Sequence, residues 1–180
     1  MSELNCGDFK KYSQVSVFNN INEPAAISRL KAISPDIIIV LGTRKLSKIF
    51  LNAINCLIVN LHGGDPSKYR GLDSHFWALY HKDFDSFDIC LHHVTNELDA
   101  GDIIQKEKMV IQASSKIEHL RLINTECALN MTRKFMSDLY AKKHLKNYPQ
   151  ESKGRYYSFM PSCLKEIAID NFNRFCLSLK

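Results

Sequence analysis

The chain contains a continuous aliphatic run, IIIVL, at residues 37–41, and Gly42 follows it directly. A second run, LIVNLH, occupies residues 57–62. Strands that are apolar on both faces are typical of a parallel sheet buried between helices. Residues 23–33 and 44–53, which precede the two runs, carry apolar side chains at helical spacing. This alternation of helices and strands predicts an α/β fold.

Weaker patterns extend this prediction along the chain. Short β-forming runs indicate further strands, at residues 15–18, 87–93 and 103–111. Apolar stripes indicate further helices, at residues 73–82, from Ser115 onward and from Pro161 onward. The polar and basic segment 141–155 is predicted to be a solvated connection. Together the patterns predict a Rossmann-like, mostly parallel sheet sandwiched by helices.

Composition narrows the class of protein. A chain of 180 residues with 45% hydrophobic residues fits one globular domain. No two of its six cysteines share a CxxC spacing, so we expect reduced thiols in a cytoplasmic protein, without disulfides or a zinc site. The longest aliphatic run is too short to span a bilayer, so we expect no membrane partner. A net charge of +5 suits an anionic ligand but is too small to indicate nucleic acid.

Asn60 and His62 stand at the end of the second aliphatic run. Side chains two residues apart share one face of a strand, and ligands of open parallel sheets bind beyond the carboxyl ends of the strands. The loop 63–71, which contains three glycines, follows immediately. Taken singly, a histidine here is more often structural, an asparagine is usually a turn former, and Asp99 belongs to an ordinary turn.

Two motifs in combination resemble the 10-formyltetrahydrofolate-dependent formyltransferases. Residues 60–62, NLH, match the N-x-H motif of that family, and the loop GGDPSKYRG resembles its proline-containing loop ending in R-G. Residues 92–104, HHVTNELDAGDII, match its second signature, a strand ending in a D-x-G-x-I-I turn. The motifs stand in the family's order and at about its usual separation, and the resemblance covers roughly residues 15–112.

The resemblance implies an enzyme with Asn60, His62 and Asp99 as catalytic residues. Asn60 would donate an N–H to the formyl oxygen and stabilise the oxyanion. His62 would assist charge and proton movement at the same carbon. Asp99 would hold His62 or an ordered water and help to take the proton from the attacking amine. The cosubstrate would be 10-formyltetrahydrofolate, and no metal would be needed.

The resemblance also implies where ligands bind. The folate would be held by two loops, at Gly42, Thr43, Arg44, Lys45 and Leu46 and at Val94, Thr95, Asn96, Glu97 and Leu98. Without the motifs, the first loop would be an ordinary strand-to-helix turn. The substrate would be bound by Lys68, Tyr69 and Arg70, with the basic side chains on a phosphate or carboxylate. A solvated basic loop is an equally good interpretation of Lys68 and Arg70.

The chain departs from the family at both ends of the resemblance. The first strand-helix-strand unit of the family is not recognisable before Val15, so the domain is predicted to lack it, as a naturally short form or a fragment. The residues after the long helix are too few for the β-barrel of the methionyl-tRNA branch, which argues against tRNA. We therefore divide the chain into an N-terminally short catalytic domain, 1–145, and a C-terminal extension with a helix, 146–180.

The loop and helix after His62, with GRYYSFMP at residues 154–161, are most similar to sugar N-formyltransferases of surface-polysaccharide pathways such as lipopolysaccharide O-antigen synthesis. This predicts formyl transfer to a primary amine, the 4-amino group of a nucleotide-linked dideoxy sugar, by a cytoplasmic enzyme that could form a homodimer. The alternatives are a glycinamide ribonucleotide formyltransferase and a truncated, inactive folate-binding remnant. Residues 156–160 are read as a core-docking strand in preference to a substrate-stacking edge.

Overall fold

The computed structural model describes residues 11–180 of the chain. Four strands form its central sheet. The strands are β1 (Ile37–Leu41), β2 (Leu57–His62), β4 (Asp88–His93) and β5 (Ile103–Lys108), and they lie in the order β1-β2-β4-β5. Two shorter strands, β3 (Tyr69–Gly71) and β6 (Arg155–Tyr157), pair with each other in parallel as a second small sheet.

The central sheet is mixed. β1 and β2 pair in parallel, whereas β2 with β4 and β4 with β5 pair antiparallel. The predicted α/β class is confirmed, and the expected mostly parallel sheet is corrected to a mixed one. The connection of residues 94–102 explains the antiparallel pairing of β4 with β5, because a parallel crossover needs a dozen or more residues and an antiparallel turn needs few.

The chain divides into two compact units. The first comprises residues 11–35 and 46–55 of the described chain, and the second, which holds both sheets, comprises 36–45 and 56–180. The first unit contains α1 (Pro24–Ile33) and α2 (Lys48–Ala53), as the apolar spacing predicts. Ser47 caps α2, because its Oγ accepts the N–H of Phe50 at 3.1 Å.

The strand predicted at residues 15–18 is not formed. The segment pairs with no strand of the described chain, and the side chain of Val17 is 84% exposed. A short β-forming run is not stable as a strand without a partner in a sheet. The prediction was therefore wrong, because β propensity alone does not supply that partner.

Three helices of the second unit cover the sheet: α3 (Ser74–Tyr80), α4 (Leu120–Tyr140) and α5 (Ser162–Ser178). They bury one apolar core with the strands, made by Val59, Leu61, Leu79, Ile89, Leu91, Leu120, Met131, Phe135, Ala168 and Phe172. Truncating a fully buried phenylalanine such as Phe135 to alanine typically costs ~3–5 kcal/mol of unfolding free energy. The stripe predicted for the long helix thus packs the core.

The C-terminal helix is confirmed, and it packs on α3. The Asn171 side chain donates to the carbonyl oxygens of Leu79 and Tyr80, at 3.1 and 3.3 Å, and so ties the C-terminal helix to the last turn of α3. The helix therefore belongs to the same compact unit as the sheets, and the domain boundary at residue 145 stays a prediction. None of the helices within residues 11–180 is long and apolar enough to cross a membrane.

The segment predicted as a solvated connection is instead pinned along its second half. We call residues 147–157 the strap. Tyr148 and Ile103 exchange two backbone hydrogen bonds of 2.8 Å, the Ser152 hydroxyl donates to the Ser67 carbonyl at 2.8 Å, and β6 pairs with β3. Most strap side chains are exposed, so its composition is polar, while its backbone supplies the fixed contacts.

Candidate active site

The predicted catalytic residues converge, and a second histidine joins them. Asn60 and His62 lie at the end of β2, and the antiparallel register sets Asn60 directly opposite His92 of β4. Residues opposite each other in such a pair project from the same face of the sheet. The loop after β4 brings Asp99 to the same place. We call Asn60, His62, His92 and Asp99 the site cluster.

The Asp99 carboxylate lies at the centre of the site cluster. Its Oδ1 is 3.3 Å from Asn60 Nδ2 and 3.6 Å from His92 Nε2, and its Oδ2 is 3.7 Å from His62 Nδ1. The backbone N–H of Gly71 donates to Oδ2 at 2.9 Å. Asp99 is buried and has a left-handed backbone with φ +50°, a conformation that aspartate adopts more readily than most residues.

Hydrogen-bond partners assign the two imidazole tautomers. His92 Nδ1 lies 2.8 Å from the carbonyl oxygen of His93, which only accepts, so Nδ1 carries the proton and Nε2 accepts from Asn60 Nδ2 at 3.1 Å. His62 Nε2 lies 2.9 Å from the carbonyl oxygen of Tyr69, so Nε2 carries its proton. The unprotonated Nδ1 of His62 then faces Asp99, as a basic nitrogen beside a carboxylate.

Burial and charge set the protonation states of His62 and Asp99. Burial lowers the pKa of His62, although Asp99 and the Tyr69 carbonyl act in the opposite direction. Burial alone would raise the pKa of Asp99, but the His92 ring, the charge on protonated His62 and the Gly71 N–H together lower it. Near neutral pH the site therefore holds a neutral imidazole beside an ionised carboxylate, which is a pair able to take up one proton.

Two glycines allow the loop after β2 to lie close to its neighbours. A Cβ on Gly64 would lie 2.6 Å from Ser74 Cβ, and the Ser74 hydroxyl is 3.2 Å from His62 Nε2. Gly71 has φ +93°, and a Cβ there would collide with the carbonyl oxygen of Tyr157. The loop can thus deliver both the Tyr69 carbonyl and the Gly71 N–H to the site cluster.

A network of polar side chains holds the base of this loop. Lys106 Nζ lies 2.8 Å from Asp65 Oδ2 and 3.4 Å from Asp88 Oδ2. The His75 ring contacts the Asp88 carbonyl and the Asn124 amide, each at 3.2 Å. Burial lowers the pKa of His75 to about 4, so this ring stays neutral over the physiological range. The network anchors the loop that positions His62.

The predicted substrate-binding residues all have partners within the protein. Lys68 Nζ and the Tyr69 hydroxyl both lie 3.2 Å from Asp83 Oδ2. Arg70 is buried, and it donates to the carbonyl oxygens of Gly154 and Leu98, at 2.7 and 3.2 Å, with its guanidinium 3.3 Å from Glu97. Arg70 thereby ties the strap to the loop that carries Asp99. A role of these residues toward substrate stays a prediction.

The predicted folate loops differ in exposure. In the second unit, Gly42 has φ +62° with open space where a Cβ would be, and residues 43–45 are exposed, so their backbone is accessible to a ligand. Leu46 is buried and belongs to the first unit. In the other loop, Val94 donates its N–H to the Ile58 carbonyl at 3.0 Å. Residues 95–98 follow as a turn in which the Thr95 hydroxyl bonds the backbone of Glu97.

Three residues at the site were not found from the sequence. His92 is visible only once the register of β2 and β4 is known, although it begins the second motif. Ser74 begins α3, and the contact of its hydroxyl with His62 is not indicated by any motif. Gln150 of the strap bonds the backbone around Asp99 from outside both motifs. Among residues 11–180, no group of three His, Cys, Asp or Glu side chains is placed to hold a metal ion.

The chain belongs to the Formyl transferase family, which it matches over residues 8–126, more than half of its length. The methionyl-tRNA formyltransferase of Methylacidiphilum infernorum is 26% identical over 102 residues, which cover 56% of this chain and 32% of that protein. The phosphoribosylglycinamide formyltransferase of Escherichia coli is 32% identical over 88 residues, which cover 48% and 41%. The chain thus matches less than half the length of both curated relatives.

Solved structures share its fold. The formyltransferase PseJ from Anoxybacillus kamchatkensis, solved in complex with UDP-4,6-dideoxy-4-formamido-L-AltNAc and tetrahydrofolate, superposes with a TM-score of 0.62 at 18% identity. The match covers 82% of this chain and 72% of PseJ. The family resemblance and the α/β fold predicted from the sequence are therefore confirmed.

Proposed function

We propose that this chain transfers a formyl group from 10-formyltetrahydrofolate to a primary amine, the 4-amino group of a nucleotide-linked dideoxy sugar. The observation that carries the proposal is the site cluster itself. It sets an amide donor, Asn60, and a neutral imidazole, His62, around the ionised carboxylate of Asp99 within 3.3 and 3.7 Å. Acyl transfer to an amine needs an oxyanion donor and a proton acceptor at one carbon.

Asn60 is the proposed oxyanion donor. At rest its Nδ2 faces two acceptors, His92 Nε2 and Asp99 Oδ1. One of these N–H groups exchanges its partner for the formyl oxygen, while the other keeps the amide oriented. Because the amide is already oriented by its partners, this donor stabilises the developing charge; loss of one such donor typically costs ~10²–10³ in rate.

His62 and Asp99 are the proposed proton acceptors. As the amine nitrogen bonds to the formyl carbon, it must lose a proton, and the free Nδ1 of His62 is the basic atom beside Asp99. Taking the proton converts the pair into an imidazolium and a carboxylate, which attract each other. The proton then passes to the departing folate nitrogen as its bond to the formyl carbon breaks, leaving tetrahydrofolate and a formamide.

Two features support a nucleotide sugar as the acceptor. PseJ, which shares the fold, was solved with a formylated UDP-linked dideoxy sugar. In this chain Tyr156 is 56% exposed, and its ring lies against Gly71, whose N–H bonds Asp99. An exposed aromatic face at that point suits stacking on a sugar or base. While its backbone docks in β6, Tyr156 can therefore also serve as the substrate-stacking edge.

The proposed setting follows from the same chemistry. Such an acceptor belongs to surface-polysaccharide synthesis, and we propose a cytoplasmic enzyme, with a homodimer as its assembly. Burial raises the pKa of the Cys90 thiol to about 12, so this cysteine is unreactive, in keeping with a reduced, structural thiol.

A glycinamide ribonucleotide formyltransferase is the second candidate, because the Escherichia coli relative is 32% identical over the matched region. Its acceptor is also a primary amine, so the site cluster would act in the same way. The two candidates differ only in what the surface beside Asp99 binds.

The test supplies purified protein with 10-formyltetrahydrofolate and one of two acceptors. These are a UDP-linked 4-amino-4,6-dideoxy sugar and glycinamide ribonucleotide, and tetrahydrofolate release is followed by absorbance. We expect turnover with the sugar nucleotide and a rate at least ~30-fold lower in an Asp99→Asn preparation, which controls for contaminating enzyme. Turnover with glycinamide ribonucleotide alone would establish the second candidate. Folate binding without turnover on either acceptor would identify an inactive remnant and overturn the proposal.

A further inference from the structure

Gln150 lies in the strap, far from both motifs in sequence, yet it contacts the turn that carries Asp99. Its Nε2 donates to the carbonyl oxygens of Asp99 and Gly101, at 2.9 and 2.8 Å. A side-chain amide nitrogen carries two hydrogens, so one group can satisfy both bonds. Gln150 thus links Asp99 and Gly101, the two residues on either side of Ala100.

The turn held by Gln150 is tightly constrained. Asp99 has φ +50°, and a Cβ on Gly101 would collide with the carbonyl oxygen of His93. His93 N–H in turn donates to the Asp102 carbonyl at 2.9 Å. The position of the Asp99 carboxylate depends on this backbone, because the backbone sets the direction of the Cα–Cβ bond and the side chain beyond it is short.

Gln150 is itself held on both sides. Before it, Tyr148 forms the two-bond bridge with Ile103, and after it, the Gly154 carbonyl accepts from Arg70 Nε at 2.7 Å. The strap therefore presents the amide from a fixed backbone. Gln150 donates to carbonyl oxygens only and does not contact His62 or Asn60 in any of its hydrogen bonds.

We propose that Gln150 is a positioning residue for Asp99, which holds the carboxylate at its distances from Asn60 and His62 through the backbone of residues 99–101. This inference rests on the proposed function only for its kinetic consequence. Without the two hydrogen bonds the turn relaxes, and the carboxylate leaves the place at which it pairs with protonated His62. Misplacement of a catalytic group by ~1 Å can cost ~10²-fold in rate.

Four variants separate hydrogen bonding from packing. Gln150→Met keeps the length of the side chain but removes the donor, and Gln150→Glu keeps its shape but presents a carboxylate to two carbonyls at neutral pH. Gln150→His restores a donor nitrogen at similar reach. Gln112→Met makes the first change at an exposed position outside the site. We expect kcat per folded protein to fall ~10- to 10²-fold in the first two variants.

KM for the folate should change less than ~3-fold in the Met and Glu variants, because Gln150 bonds residues 99 and 101 and none of the proposed folate-binding residues, and the His variant should regain part of kcat. A second readout needs no activity. The Gly71 N–H donates to Asp99 Oδ2, so its amide resonance in ¹H–¹⁵N spectra reports the place of the carboxylate. It should move in Gln150→Met and stay unchanged in Gln112→Met.

The two readouts distinguish the possible failures. A wild-type protein without turnover would contradict the proposed function. The Gly71 amide resonance would still test the role of Gln150, because it needs no activity. An unmoved Gly71 resonance, or a wild-type kcat in folded Gln150→Met, would overturn the positioning role. If Gln150→Met does not fold, Gln150→Glu and Gln150→His carry the comparison, and equal kcat in these two would equally overturn it.

Discussion

Replacing Asp99 with asparagine tests the charge at the centre of the site cluster. The change keeps the shape of the side chain. It also keeps one oxygen, which can accept from the Gly71 N–H as Asp99 Oδ2 does at 2.9 Å in the wild type. It removes the charge that lies 3.7 Å from His62 Nδ1. The largest loss is therefore the attraction between Asp99 and the imidazolium that forms when His62 takes the amine proton. The hydrogen bond from Asn60 Nδ2 to Asp99 Oδ1 is lost as well, because an amide nitrogen replaces that oxygen.

The size of this loss follows from the distance. Two unit charges at that separation attract by about 4 kcal/mol in an effective dielectric of about 20. If the transition state carries half of the proton's charge on His62, about 2 kcal/mol is lost. Since ~1.4 kcal/mol corresponds to tenfold in rate, kcat should fall by between ~30- and ~10³-fold.

The assay is formyl transfer at saturating cosubstrate, measured from tetrahydrofolate release over a range of pH. Asp102→Asn is the matched control, because it makes the same change at an exposed position three residues on. The Asp99 charge acts to raise the pKa of His62, so the acidic limb of the residual activity should move to lower pH in Asp99→Asn. A wild-type kcat, or an equal loss in Asp102→Asn, would refute the proposed proton transfer.

Three further predictions address the site and its support. His62→Ala should abolish turnover but leave folate affinity, measured by fluorescence titration, within ~3-fold, and measurable turnover would remove His62 from the mechanism. Gly64→Ala should lower the unfolding free energy in urea by ~1–3 kcal/mol, because its Cβ would lie 2.6 Å from Ser74 Cβ, and a stable variant would contradict that packing. His75 is neutral when folded, with a pKa of about 4, so its burial should cost stability progressively as the pH falls from ~6.5, the ordinary histidine value, to about 4. Urea unfolding at stepped pH should show this loss in the wild type and a smaller one in His75→Asn.

Asn60, His62 and Asp99 could be predicted from the sequence, because they belong to short motifs. Asn60 and His62 share one strand, so their common face follows from the period of a strand, and the D-x-G turn places Asp99. The place of His92 in the site could be predicted only from the register of β2 and β4, which depends on pairing between segments about thirty residues apart. Gln150 was hidden for another reason: its partners are backbone carbonyls, which look the same in every sequence.

The wrong predictions about the fold also arose because pairing between distant segments cannot be seen in the sequence. Residues 15–18 have strand-forming side chains but no neighbouring strand in the described chain, and a propensity cannot reveal that. The strap looked like a polar connection because its side chains face solvent. Patterns of side chains predict which segments are buried, whereas the pairing of exposed backbone depends on the tertiary structure.

The parallel pairing of β3 with β6 has a consequence for the order of assembly. Tyr69 pairs with Arg155, and the Arg70 side chain bonds the Gly154 carbonyl across 84 residues of sequence. Contacts between such distant segments form late in folding. During synthesis, a nascent chain that has reached only residue 145 already displays both motifs but has none of the strap. We expect it to acquire a competent active site only after the strap has emerged from the ribosome and closed over β3.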